Sequence, residues 1–300
     1  MKKIYVTGSA GLVGSRLVEL MDRKYELLMP EIKELDILRV NDLSTFWKKE
    51  KPDAVVHLAA FTDVGEAENQ RGDRKGFCWK INVEGTSNLA KICREYGTLL
   101  VYVSTDNVFS GSISDRGPYE ETHKPEKDEN KLTWYGFTKA KGEEKVQEIL
   151  NGYTSIIRII YPVRAKFSDK VDYLRKPLQL YREDKLYPLF YDQQISITFI
   201  DEACLAIDRI ISDKKTGIYH SCSSDTTTPH ELVSYFLKKL EGNDIKVKKA
   251  SLDEFLKQVD NPVRYPKYGG LKVEETEKKL GIKFSSWKEI IDELVKQGIQ

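Results

Sequence analysis

Long apolar runs are missing from this chain, and no stretch approaches the roughly 20 residues that a membrane-spanning helix needs. The opening residues, "MKKIYVTGSAGLVG", place lysines before apolar residues as a secretory leader does, but the run is cut short at Thr7-Gly8. Neither an anchor nor a cleaved leader is expected, and a cytoplasmic setting follows. Cysteine is scarce. Cys78, Cys93, Cys204 and Cys222 are dispersed without a C-x-x-C pair, as are His57, His123, His220 and His230, so a disulfide framework or a metal site is not expected. Buried free thiols are. An excess of one charge is missing too: 48 Lys plus Arg stand against 47 Asp plus Glu, which gives no broad attraction to nucleic acid or to a membrane. There is no internal repeat and no low-complexity segment. What remains is 300 residues, enough for one large α/β domain or two fused halves.

Strand and helix patterns alternate along the first half. "KIYVTG" (3–8) is a β-branched and aromatic run stopped by glycine, and "LVGSRLVELMDRK" (12–24) repeats apolar residues at helical spacing. "YELLMP" (25–30) predicts a strand, "VNDLSTFWKKE" (40–50) a helix, and "DAVVHLAAF" (53–61) a strand buried on both faces. "INVEGTSNLAKICREYG" (81–97) predicts a helix capped by Gly97, and "TLLVYVSTD" (98–106) another apolar strand. Such β-α-β units imply an α/β fold, a Rossmann-like doubly wound parallel sheet.

In the second half, "YTSIIRIIYPV" (153–163) predicts a sixth strand, and "DYLRKPLQLYRED" (172–184) a helix interrupted near Pro177. A strand and helix follow in 193–213 and a short strand in 216–224. The helix 228–242 has Thr228 as its cap and Pro229 at its first position, and further helices lie near 251–259, 273–281 and 287–298. The chain therefore divides into a dinucleotide-binding domain, 1–160, and a smaller mixed α/β substrate lobe, 161–300, with some elements returning to the sheet. The acidic and basic stretch 120–131 is expected to be a loop over the site that orders when substrate binds.

Two constellations carry chemistry. In "TGSAGLVG" (7–14), Gly8, Gly11 and Gly14 keep a G-x-x-G-x-x-G spacing between a predicted strand and helix. Glycines there let the backbone approach a pyrophosphate, which sits at the helix amino terminus over Leu12 and Val13. An acidic residue past the second strand would hold the adenosine end. Glu31 and Asp36 compete for this, and Asp36, followed by Ile37, is the choice. The second constellation is Ser104, Thr105 and Asp106 at the end of a strand, followed after a long polar loop by Tyr135 and Lys139, which share one helix face. A phenol is a poor proton carrier at neutral pH unless something stabilises its anion, and an ammonium one turn away does that.

The segments "TGSAGLVG", "HLAAFTDVGEAE" (57–68), "INVEGTSNLA" (81–90), "STDNVFSG" (104–111), "YGFTK" (135–139) and "IIRIIYPV" (156–163) resemble the extended short-chain dehydrogenase/reductases of the dTDP-4-dehydrorhamnose reductase type. The resemblance implies NADP or NAD as cofactor and a nucleoside-diphosphate sugar as substrate, with a homodimer as a possible assembly. It implies a triad: Tyr135 as general acid, Lys139 on the nicotinamide ribose, and Thr105 polarising the carbonyl. Ala59 and Ala60 would line the cofactor channel, and Ser104 and Asp106 would meet substrate. An epimerase or dehydratase would use the same triad, and a cofactor-binding regulatory subunit the same fold.

This chain departs from the family pattern at Asn107 and Ser110, where a tyrosine and an aspartate are usual, and at Tyr265, inserted between Arg264 and Pro266. Arg264 suits a bidentate phosphate contact and, equally, a solvated surface. Arg158, Tyr161, Arg164 and Asp192 suit substrate contacts or surface pairs. His220 is expected to be a satisfied buried histidine. Ser9 stands where NADP-preferring relatives often carry a basic residue, which leaves Lys33 as a phosphate contact.

Overall fold

In this computed structural model the apolar segments become one six-stranded sheet, and the structure describes residues 1–242 and 244–299. Strands β1 (Lys3–Thr7), β2 (Glu26–Leu28), β3 (Ala54–His57), β4 (Leu99–Thr105) and β5 (Thr154–Ile159) run in the order β2-β1-β3-β4-β5, followed by the strand Gly217–Ser221. β1 pairs in parallel with β2 and β3, and β3 with β4. All residues of β3 and β4 are buried, as strands covered by helices on both faces must be. The fold is the α/β, Rossmann-like parallel sheet that the alternation predicts. Its order reverses between β1 and β3, and open sheets of this kind bind ligands at the carboxyl ends beside such a reversal.

The helices of this part are α1 (Leu12–Met21), α2 (Val40–Glu50), α3 (Val64–Glu68), α4 (Phe77–Trp79), α5 (Thr86–Tyr96) and α6 (Trp134–Leu150). Between α4 and α5 the backbone is not α-helical: Lys80–Gly85 forms a π-helical turn, so the helix read from the sequence as starting at 81 is in fact a bulged one. Gly97 caps α5 at φ 65°, in the left-handed region that glycine enters without a side-chain penalty. Leu43 and Trp47 of α2 pack with Tyr5, Val55, Leu89 and Leu100 in the core, and the Trp47 indole donates to Thr98 Oγ1 at 3.1 Å. Truncating such a side chain to alanine costs about 3–5 kcal/mol.

The chain forms two compact units, and its crossings between them are more numerous than one cut near 160 provides. The first unit holds Met1–Val108, Lys124–Arg158 and Cys204–Tyr219; the second holds Phe109–His123, Ile159–Ala203 and the chain from His220 onward. The second unit has its own core, with Leu178, Ile197, Leu232, Phe236, Ile290 and Leu294 at its centre. Its helix Arg175–Arg182 is not interrupted: Pro177 lies in the first turn, where a missing N–H costs nothing. The predicted single strand 153–163 is broken, because Tyr161 adopts φ 40° and pairing resumes at Pro162–Val163.

The stretch 120–131 is already pinned. In the second unit Glu121 is buried and accepts from Thr276 N at 2.8 Å and Thr276 Oγ1 at 2.7 Å, while in the first unit Glu126 N donates to Val108 O at 2.9 Å. No helix among the described residues is long and apolar enough to cross a membrane.

Candidate active site

The turn from β1 into α1 is built on close backbone approach. Gly8 has φ 68°, and a Cβ there would lie 2.8 Å from Ala59 N, so the glycine brings the end of β1 against the segment after β3. Ala59 is thereby placed at the reversal point of the sheet, with Ala60 next to it. A Cβ on Gly14 would lie 2.2 Å from Gly8 O. Gly11 differs: a Cβ there would meet only Gly8 O, at 3.3 Å, so packing does not demand a glycine. Gly11 is the N-cap of α1, with no side-chain cap and no acidic residue in the first turn, which holds Leu12, Val13 and Gly14. An open approach to an uncapped, positively polarised helix end fits a pyrophosphate.

Asp36 lies past β2, half-buried, where its Oδ1 accepts from Leu38 N at 2.9 Å. Ile37 is buried beneath Gly85, and its carbonyl accepts from Asn88 Nδ2 at 3.1 Å. The competing Glu31 is exposed and pairs with Lys33 at 2.7 Å, so the Lys33 ammonium already has a carboxylate partner.

β3 stops at His57 rather than continuing to 61, because Leu58 N makes the last ladder bond, to Thr7 O at 3.2 Å, and side chains take over from there. Leu58 N and Ala59 N donate to Thr7 Oγ1 at 3.1 and 3.0 Å, and Phe61 N donates to Asn82 Oδ1 at 2.8 Å. With its lone pairs so engaged, the Thr7 hydroxyl gives its proton to His57 Nδ1, 2.7 Å away, and His57 Nε2 then donates to Thr86 Oγ1 at 3.0 Å. This network assigns a neutral tautomer. Burial, then the charge of Lys139, pulls the His57 pKa down to about 3.

Asn82, inside the π turn, also donates to Phe61 O at 3.1 Å and to Thr138 Oγ1 on α6 at 3.0 Å. It ties the segment after β3 to the helix carrying Tyr135. The local sequence pattern assigns Asn82 no role; its signal is an amide in an otherwise helical, half-apolar pattern.

At the end of β4, Thr105, Asp106 and Asn107 hydrogen-bond to one another. Thr105 Oγ1 donates to Asp106 Oδ1 at 3.2 Å, and Asn107 Nδ2 donates to both at 3.1 Å. Burial raises the Asp106 pKa to about 7 against the pull of these bonds. The Ser104 hydroxyl is buried there without a hydrogen-bond partner.

Helix α6 starts at a Thr133 cap and reaches the strand end because Gly136 has no side chain: a Cβ would lie 2.1 Å from Asn107 O. Tyr135 then stands beside Thr105 and Asp106. Burial, then Asp106, raises its pKa well above the usual phenol value, while the Thr105 hydroxyl pulls it down. This direction is opposite to the lowering expected from Lys139. The Lys139 ammonium is buried, donates to Val103 O at 2.8 Å and lies 4.0 Å from the centre of the Tyr102 ring.

Arg158 is fully buried and makes a two-point pair with Glu143, which removes it from substrate. In the second unit, Asp192 accepts from Ser251 Oγ and Leu252 N at the start of a helix, Arg164 is buried near the Phe167 ring, and Tyr161 stacks on Tyr173 at 4.1 Å. Arg264 is exposed on the short 3-10 turn Pro262–Arg264. His220 is buried, its Nδ1 2.9 Å from Lys272 O, as a satisfied histidine should be.

The chain is similar to known proteins along most of its length. The family model described as the RmlD substrate binding domain matches residues 1–299. A dTDP-4-dehydrorhamnose reductase of Streptomyces griseus is 28% identical over 249 residues, covering 81% of this chain and 78% of that protein. Methionine adenosyltransferase 2 subunit beta of Xenopus tropicalis is 26% identical, covering 77% and 70%. The crystal structure of dTDP-4-dehydrorhamnose reductase from Bacillus anthracis in complex with NADP superposes with a TM-score of 0.85 at 25% identity, over 99% of this chain and 100% of that one. With the glycine turn, the Thr105–Tyr135 end of β4 and a match along nearly its whole length, the chain belongs to the RmlD substrate binding domain family, within the extended short-chain dehydrogenase/reductases of the dTDP-4-dehydrorhamnose reductase type.

Proposed function

We propose that this chain reduces the 4-keto group of a nucleoside-diphosphate sugar with NADPH or NADH, and that its substrate is dTDP-4-dehydrorhamnose, which becomes dTDP-L-rhamnose. The observation that carries this reading is the placement of the Tyr135 phenol beside the Thr105 hydroxyl at the end of β4, with the buried Lys139 one turn further along α6. Burial and Asp106 hold the phenol protonated at neutral pH. That is the form from which a proton passes to a carbonyl oxygen gaining negative charge. Thr105, adjacent to the phenol, orients the same oxygen. The Gly8–Gly14 turn and the α1 amino terminus hold the pyrophosphate, Asp36 and Ile37 face the adenosine end, and Lys139 holds the nicotinamide ribose. The bound nicotinamide supplies the hydride to the carbonyl carbon. Ser104, with its unpartnered hydroxyl, and Asp106 are the substrate contacts at the strand end.

The likeness to methionine adenosyltransferase 2 subunit beta favours a second reading, a cofactor-binding subunit without turnover. The retained Tyr135 and Lys139 support catalysis instead. The test is NADPH and NADH consumption with dTDP-4-dehydrorhamnose. Turnover should fall by about two to four orders of magnitude in Tyr135→Phe. Cofactor binding without turnover in either protein would sink the reductase reading, and turnover with no net oxidation of cofactor would point to an epimerase or dehydratase.

A further inference from the structure

Behind the candidate site lies a buried ion pair that the reduction itself does not use. Arg158 Nε donates to Glu143 Oε1 at 2.9 Å and Nη2 to Oε2 at 2.7 Å, with both side chains at most 1% exposed. Such a pair is a poor stability device, since desolvating two charges offsets most of their attraction and an apolar pair of similar volume is often as stable. Its position suggests a different job. Tyr135, Lys139 and Glu143 recur every fourth residue on α6 and so lie along one face. Gly142 lets this part of the helix press against the sheet: a Cβ there would lie 2.4 Å from the Tyr102 hydroxyl and 2.8 Å from Asn82 O.

Lys139 needs a counter-charge. Its two direct contacts, the Val103 carbonyl and the Tyr102 ring, are neutral. Around it His57 from β3 is neutral, Tyr102 from β4 and Tyr135 from α6 stay protonated, and burial raises the Cys78 thiol of α4. Asp106, after β4, has its pKa raised to about 7 and faces Tyr135. Glu143 is left, its carboxylate paired at two points with the Arg158 guanidinium from β5. Burial lowers the Lys139 pKa to about 7, and Glu143 is the largest influence opposing that fall, ahead of Cys78.

We propose that Glu143, fixed by Arg158, is a positioning residue whose carboxylate favours the charged form of the buried Lys139 amine. The role in cofactor binding rests on the reading of Lys139 given above; the charge itself does not. The experiment is a titration of the Lys139 Nζ resonance by 15N NMR, assigned by its loss in Lys139→Met, with NADPH affinity measured across the same pH range. Glu143→Gln strands Arg158 in the core, so a second variant, Glu143→Leu with Arg158→Met, exchanges the pair for apolar side chains.

In the variants the Lys139 midpoint should fall by about one to two units. NADPH should bind at least about tenfold more weakly at pH 7.5, with affinity recovering as acid recharges the lysine. An unmoved midpoint, or an affinity loss equal at every pH, would overturn the proposal. Failure of both variants to fold would overturn it too, since the pair would then be holding the structure. The midpoint is read without sugar, so a chain that reduces no 4-keto sugar still decides this question.

Discussion

Gly14 lies so near Gly8 that a Cβ on it would sit 2.2 Å from the Gly8 carbonyl oxygen, whereas a Cβ on Gly11 would meet that oxygen at 3.3 Å, a tight contact that a shift of a few tenths of an ångström relieves. The two kinds of glycine should respond differently to alanine. Gly14→Ala forces the backbone apart and should cost about 1–3 kcal/mol or more, read as a drop in melting temperature. Gly11→Ala should cost under about 1 kcal/mol yet weaken NADPH binding about tenfold or more, because the methyl intrudes where the pyrophosphate approaches the helix end. Unchanged affinity in Gly11→Ala would remove the dinucleotide from this turn.

Asp106 is a carboxylate that folding disfavours. Its folded pKa of about 7 lies above its unfolded value, so its contribution is fully present below about pH 4 and is lost as pH rises through 7. Asp106→Asn keeps an oxygen acceptor for Thr105 and Asn107 and removes the charge. The variant should therefore match wild type near pH 4 and exceed it by about 2–4 kcal/mol at pH 8. Denaturant unfolding at the two pH values decides, and a variant equally stable or less stable at pH 8 would contradict the burial argument. Turnover should fall in the same variant.

His57 runs the other way. Its folded pKa is pulled down to about 3, so the unfolded chain takes up a proton below about pH 6.5 while the folded chain does not. The stability it contributes is present above pH 6.5 and is lost as pH falls towards 3, by about 2 kcal/mol between 6.5 and 5. In His57→Gln the loss of the Thr7 and Thr86 bonds lowers stability at pH 7.5, but the gap to wild type should close on acidification. Parallel stability curves would show that His57 is protonated in the fold.

The parts of the site that were legible in the sequence are those governed by local rules. The glycine spacing of 8–14, the helix at 40–50 and the Tyr135–Lys139 interval each follow from backbone sterics or helical periodicity within a short window. What was not legible depends on partners distant in sequence. β3 looks apolar to residue 61 but ends at 57, because Thr7 and Asn82 supply hydrogen bonds that no window around 58–61 contains. Arg158 reads as a substrate contact or a surface pair until Glu143, 15 residues earlier, is seen to close on it. Pro177 was read as a break because its position relative to the helix start was not known.

The π turn at Lys80–Gly85 carries one residue more than an α-helix would use to cover the same rise. It is therefore a point of register. Deleting a single residue there would let the segment relax into continuous α-helix of the same rise, with the flanking turns in register and only the side chains inside the turn re-aimed. Asn82 could then no longer face both Phe61 and Thr138. In sequences descended from a common ancestor with this one, length across 77–96 should be kept more strictly than residue type, because a substitution there loses one contact whereas a deletion removes the bulge that aims Asn82 at both partners.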